Sequence, residues 1–301
     1  MGGYLHSSLG GWGWARRTSR RCFLCGAAAG FSAIFRAPLT EILLTLEIPY
    51  KRDVETEVFI PASIASVTAY LVSAMTFGAE KIFPGPLSLA VAPPSLLVHA
   101  VVLGILAALT ALAFIKAFEG MRAVAEKLSR RFSMPCTVIL GGLILGVIGL
   151  LYPEALGLGY DFIHRITAAT LGGMSSTTLI ALLILKIIAT GITLNFGGSG
   201  GLFIPALCVG GTLGLIYAQA LNIEPPVSCA MLAMTAVLAA ANKTLLTSIA
   251  LVAETLGPSF IVPTVVSATI SYSFTGGASF YEGQLLNKSK NRSKDRIENP
   301  G

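Results

Sequence analysis

Residues 195–211 read Asn-Phe-Gly-Gly-Ser-Gly-Gly-Leu-Phe-Ile-Pro-Ala-Leu-Cys-Val-Gly-Gly and lie between two long apolar segments, 178–194 and 203–221. Four of the first seven residues are glycine, and Pro205 follows Ser199 by six positions. Apolar segments of this kind cross a bilayer as helices, because hydrocarbon leaves no water to satisfy backbone polar groups. Irregular backbone at that depth survives only where protein buries it or where it lines a water-filled cavity. In transporters, broken helices aim their N-terminal N–H groups at anionic substrates. The stretch therefore predicts a membrane-embedded loop, a helix beginning at its end, and an anion held inside the membrane.

The rest of the chain fits that environment. Of 301 residues, 54% are apolar and 12% charged, and the mean hydropathy is +0.76. An ordinary soluble domain is excluded. Residues 96–115 form a twenty-residue run whose only ionisable group is His99, enough to cross a core of ~30 Å. Further candidates are 59–77, 137–152, 178–194, 203–221, 227–241 and 259–275. Several are short, and many carry Gly or Pro, which predicts tilted, broken and re-entrant helices. The fold class expected is all-α and polytopic, with 1–286 as the transmembrane domain and 287–301 as a polar cytoplasmic tail.

The net charge of +6 is gathered in four basic clusters, at 16–21, 51–52, 127–131 and 288–296. Lys and Arg accumulate on the cytoplasmic side of membrane proteins. An even number of crossings between successive clusters places all four there, with 78–95 outside. The charge is thus an orientation signal and not a nucleic-acid footprint. Residues 1–13 lack a basic stretch followed by an apolar one, so no cleavable signal is read. The five cysteines lie mostly in apolar sequence, and Cys22-Phe-Leu-Cys25 has no second pair or suitably spaced histidine, so packing is their expected role. The histidines at 6, 99 and 164 form no metal spacing. No nucleophile elbow, phosphate-binding lysine loop or paired-carboxylate signature is present. No enzyme, metal or cofactor is expected, and His99 is read as a satisfied helix residue.

Residues 22–50 predict two short helices joined near Arg36–Pro38, since proline suits the first turn of a new helix. Residues 243–254 repeat 36–47 at an offset of 207, with Leu39/Leu246, Thr40/Thr247, Ile42/Ile249, Leu44/Leu251 and Glu47/Glu254 identical. An internal duplication is a common way to build a transporter. The first copy begins near residue 1, so the first repeat is read as incomplete and the chain as N-terminally truncated. Residues 94–131 predict one long helix with a polar end. Gly142 and Gly146 have the G-x-x-x-G spacing of tight packing in lipid, and 155–163 reads as a polar-edged loop. Lys186, inside an apolar run, is either an ion-pathway residue or a structural cation held by a carboxylate or a helix C-terminus.

Gly-Gly-Ser-Gly-Gly-Leu-Phe-Ile-Pro at 197–205 resembles the Gly-x-Phe-x-Pro motif of the CLC family of voltage-gated chloride channels and chloride/proton antiporters. Gly-Ala-Ala-Ala-Gly at 26–30, followed by Ala37-Pro38-Leu39 and Leu46-Glu47, resembles the family's paired-helix segment. Leu-Gly-Leu-Gly-Tyr-Asp at 156–161 and Phe-Thr-Gly-Gly-Ala-Ser-Phe-Tyr at 274–281 also look familial. The resemblance implies an inverted-repeat fold and a homodimer with one pore per subunit. It also implies chloride or another small anion held at Gly200, Gly201, Leu202, Phe203, Ile204 and Pro205 by backbone N–H groups, and at Tyr281 by its hydroxyl. A prokaryotic inner membrane is the expected location. Dipoles suit rapid transport because a formal positive charge would retain the ion.

Two departures from the family follow. Its gating glutamate and serine ligand belong to blocks upstream of the region matching residue 1. In addition, Ile48 stands where proton-coupled members often carry a second glutamate. Isoleucine cannot relay protons, so gated, channel-like conduction is the first expectation. Proton-coupled exchange of chloride or fluoride is the alternative, and a non-transporting remnant is a third. Glu47 is read as structural, pairing with Arg36 or a helix end, rather than as a proton carrier.

Overall fold

The computed structural model describes residues 13–78, 94–167, 174–255 and 257–287. Apart from one isolated bridge between Tyr50 and Leu285, the regular structure among them is helical. In chain order the α-helices are α1 Gly13–Phe35, α2 Pro38–Glu47, α3 Phe59–Phe77, α4 Leu96–Phe132, α5 Met134–Leu151, α6 Tyr160–Thr167, α7 Ser176–Asn195, α8 Phe203–Leu221, α9 Pro226–Asn242, α10 Leu245–Thr255 and α11 Ile261–Phe274. Among the described residues, five helical stretches, Thr56–Phe77, α4, α5, α7 and α8, are long and apolar enough to cross a membrane. The chain is an all-α, multi-pass membrane protein.

The chain divides into two compact units, Met1–Lys81 with Gln284–Gly301, and Ile82–Gly283. In the first, α1 ends at Phe35, and Arg36 turns the chain with φ 56. Pro38 then opens α2, as the fixed φ of proline favours. Small residues let the helices approach: Ala28, Ser32, Ala62 and Ser66 are all fully buried. Serine hydroxyls satisfy carbonyls between helices, Ser32 donating to Ser66 O at 2.9 Å and Ser73 to Ala33 O at 2.7 Å. The outer side of α3 exposes Ile60, Ile64 and Met75, a surface suited to lipid and costly in water. Gln284 Nε2 donates to Ile48 O at 3.0 Å, and Lys51 N to Leu285 O at 2.8 Å.

In the second unit α9 is the core. Its residues from Val227 to Asn242 are all buried. Helix α8 lies against it through glycines: a Cβ on Gly210 would stand 2.5 Å from Ala233 O, and one on Gly214 2.3 Å from Cys229 O. These are the glycines of the unit that make a G-x-x-x-G contact. The spacing at Gly142 and Gly146 makes none among the described residues of the chain, where a Cβ meets nothing within 4 Å. In α5 the packing glycines are instead Gly141, against Phe196, and Gly149, against Leu156. Segment 155–163 is only partly a loop, because α6 begins at Tyr160, with Ile163 N donating to Gly159 O at 3.0 Å. His99 is satisfied as expected, Nδ1 lying 2.9 Å from the Tyr217 hydroxyl. Of the cysteines, Cys208 and Cys229 are buried, whereas Cys22 and Cys136 are exposed and Cys25 is half-buried; the packing role fits the first pair.

The duplication is visible in backbone conformation. Lys243 has φ 60, matching Arg36 at the same repeat position, and α10 starts at Leu245, offset by 207 from the start of α2 at Pro38. Each copy continues through a short 3₁₀ turn, Thr56–Val58 or Pro258–Phe260, directly into the next helix. Segments 78–95 and 287–301, assigned to the outside and to a cytoplasmic tail, fall almost entirely outside the described residues.

Candidate anion-binding site

Helix α7 ends at Asn195, whose Nδ2 donates to Gly191 O at 2.8 Å and to Phe118 O of α4 at 3.3 Å. The chain then leaves helical geometry at once. Gly197 has φ 100, a region closed to most side chains. Gly198 N bonds back to Thr193 O at 2.8 Å, and a Cβ on Gly198 would stand 2.5 Å from that same oxygen. Any other residue here would push the turn open. Gly200 is also confined, with Leu194 Cδ2 at 3.2 Å from an added Cβ, whereas Gly201 faces open space. Residues 197–201 are exposed among buried neighbours.

Helix α8 starts directly after them. Leu202 is its N-cap and provides no side-chain cap bond. Pro205 has no N–H, and Ala206 N is taken by Leu202 O at 3.1 Å. The first turn is thus the positive end of a nineteen-residue helix. Gly200, Gly201 and Pro205 border a cavity of about 120 Å³, together with Thr190, Thr193 and the loop 155–158. A loop that opens onto a helix N-terminus is a place where a small anion can be held.

That loop is fixed by Lys186. The ammonium donates to Ala155 O at 3.3 Å, Leu156 O at 3.2 Å and Gly157 O at 2.8 Å. Its partners are carbonyls at and just after the Pro153–Ala155 turn, the kind of contact a structural cation makes. Glu47 is buried as the last residue of α2 and belongs to the other unit.

Tyr281 follows α11. Buried Lys243 closes that helix, donating to Tyr272 O at 3.2 Å and Thr275 Oγ1 at 2.7 Å, a favourable place for a cation. Phe280 N then donates to Ala241 O at 3.1 Å, and Tyr281 N to Ser279 Oγ at 3.1 Å. The Phe280 ring meets Phe114 at 4.7 Å and Phe118 at 5.7 Å, both edge-on. Glu282 Oε2 pairs with Arg122 Nη1 at 2.7 Å. The Tyr281 hydroxyl itself makes no hydrogen bond among the described residues, and burial pushes its pKa above the usual phenol range. It is a protonated donor whose neighbours on both sides are anchored. Phe118 touches both segments, its carbonyl accepting from Asn195 at the end of α7 and its ring meeting Phe280, the residue before Tyr281; Tyr281 itself is not among the residues that border the cavity beside Gly200. Asn195, Phe118, Phe280 and the Arg122–Glu282 pair carry no motif that marks these contacts in the sequence.

Similar proteins bear on this arrangement. The family model described as voltage gated chloride channel matches residues 1–276. A putative chloride channel protein, ClcB-like, from Ralstonia nicotianae is 28% identical over 271 residues, covering 87% of this chain. An uncharacterised protein of Methanocaldococcus jannaschii is 28% identical over 256 residues, covering 84% of the chain. The chain spans 62% of the length of each of these relatives. The crystal structure of a CLC-type fluoride/proton antiporter superposes with a TM-score of 0.79 at 23% identity, over 95% of this chain and 70% of that one. Family model, fold and glycine-loop geometry agree, and the chain belongs to the voltage-gated chloride channel, or CLC, family.

Proposed function

We propose that this chain takes part in moving a small anion, chloride first, across a membrane. The anion is held by the N–H groups of the 200–205 turn and by the Tyr281 hydroxyl. The observation that carries this reading is an exposed glycine loop that borders a cavity and runs straight into the uncapped N-terminus of α8. Oriented N–H dipoles lower the energy of an anion without a fixed positive charge, which keeps release fast.

Gated, channel-like conduction is the reading favoured by Ile48, which follows Glu47 and carries no proton. Proton-coupled exchange is a second reading, supported by the antiporter whose fold the chain shares. A homodimer in a prokaryotic inner membrane completes the proposal. Reconstitution in liposomes tests it by following chloride efflux and internal pH together. Chloride movement with no uphill proton movement supports conduction. Uphill proton movement at a constant ratio to chloride would replace conduction with exchange, and the absence of any chloride flux or binding would remove the proposal.

A further inference from the structure

We propose that one face of α4, formed by Phe114, Phe118 and Arg122, is a positioning rail that sets where the Tyr281 hydroxyl stands and so tunes which anions the site prefers. The inference rests on the reading that Tyr281 donates to the anion.

The three residues are spaced by four, so they line one side of the helix. Each meets a residue next to Tyr281 in the chain. Phe280 is inserted against Phe114 and Phe118 at centroid distances of 4.7 and 5.7 Å. It is 7% exposed, and Phe114 is fully buried. One turn further along, Arg122 takes Glu282 at 2.7 Å and Glu126 at 3.3 Å. Residues 280 and 282 are thus fastened to a single rigid helix, one by rings and one by charge. Tyr281 lies between them, so a shift of either tether moves its hydroxyl. The same helix fixes the other half of the site, because Phe118 O receives Asn195 Nδ2 at 3.3 Å just before the glycine loop. The distance between side-chain donor and backbone donors is therefore governed by α4. Anions of different radius and shape prefer different donor separations, which makes the rail a selectivity element and not only a brace.

The test uses the full chain purified in detergent and the ratio of chloride to nitrate affinity measured by calorimetry. A ratio does not depend on how much protein is folded, so a merely structural role would not move it. Arg122 and Glu282 side chains are 46% and 65% exposed, so their replacement leaves folding intact. Arg122→Glu and Glu282→Arg are each expected to shift the ratio by about two- to fivefold, the range an exposed ion pair can supply. The double exchange is expected to restore it, and Phe280→Leu to shift it further. An unchanged ratio in both single reversals and in Phe280→Leu, with Tyr281→Phe still altering it, would overturn the rail and leave the anion site standing. If Tyr281→Phe changes neither affinity, or the native chain binds neither anion, the site reading falls and the rail with it.

Discussion

Arg36 and Lys243 stand 207 positions apart and hold nearly the same left-handed backbone conformation, φ 56 and 60, each two residues before a helix. Neither is a glycine, so each turn carries a steric cost that the surroundings must offset. Lys243 is held by Tyr272 O, Thr275 Oγ1 and the face of the Tyr272 ring at 4.7 Å. Arg36 donates to Phe77 O at 3.3 Å. Replacing Lys243 by Met keeps the length and removes the donors, leaving the end of α11 without its cation. A loss of roughly 2 kcal/mol is expected, read as a lower melting temperature in detergent. Lys243→Gly should lose less, because glycine relieves the backbone.

The glycine contacts make a contrast. Gly214→Ala places a Cβ 2.3 Å from Cys229 O in a helix pair that cannot separate cheaply. At least about 2 kcal/mol of destabilisation follows. Gly142→Ala meets nothing within 4 Å and should change stability by less than about 1 kcal/mol. Thermal unfolding of both variants in one detergent checks the pair.

Lys186→Met leaves the carbonyls of Ala155, Leu156 and Gly157 without their shared donor. The expected cost is roughly 2–4 kcal/mol. Since the loop borders the same cavity as Gly200 and Gly201, anion affinity should fall too. Size-exclusion stability and chloride calorimetry separate the two effects.

On the proposed function, Tyr281→Phe should remove one hydrogen bond to a charged ligand, worth about 1.5–3 kcal/mol, or roughly ten- to a hundredfold in affinity. The pH dependence has a definite sign. A phenol donates only while protonated, and burial raises the pKa of this one. Chloride binding through Tyr281 should therefore persist through the ordinary phenol range and weaken only at higher pH. A decline that begins well below pH 10 would assign the titration to another group.

Much of the fold was legible because its constraints are local. Helices α3 and α8 have the bounds that apolarity and glycine placement predict, 59–77 and 203–221. The loop before α8 was legible for the same reason: adjacent glycines, then a proline, announce a backbone turn wherever they occur. Residues 156–161 were harder. Gly157 and Gly159 suggest a loop, and they do have φ 62 and 96, but Tyr160 then begins a helix too short for periodicity to reveal. Spacing alone does not say which face meets a partner: within the chain Gly210 and Gly214 have one, whereas Gly142 and Gly146 face open space. Lys186 left two roles open since its partners are backbone carbonyls, which every residue owns. Arg122 and Glu282 are 160 positions apart, and no local pattern links them.

The central claim is that the turn at 200–205 holds the anion through its backbone. Calorimetric titration of chloride into the purified chain and into its Gly200→Val/Gly201→Val variant tests it most directly. Valine at these positions crowds Leu194 and covers the open face beside Gly201, which blocks close approach to the N–H groups. Saturable binding to the native chain and none to a folded double variant is the predicted result. Equal chloride affinity in the two proteins would contradict it.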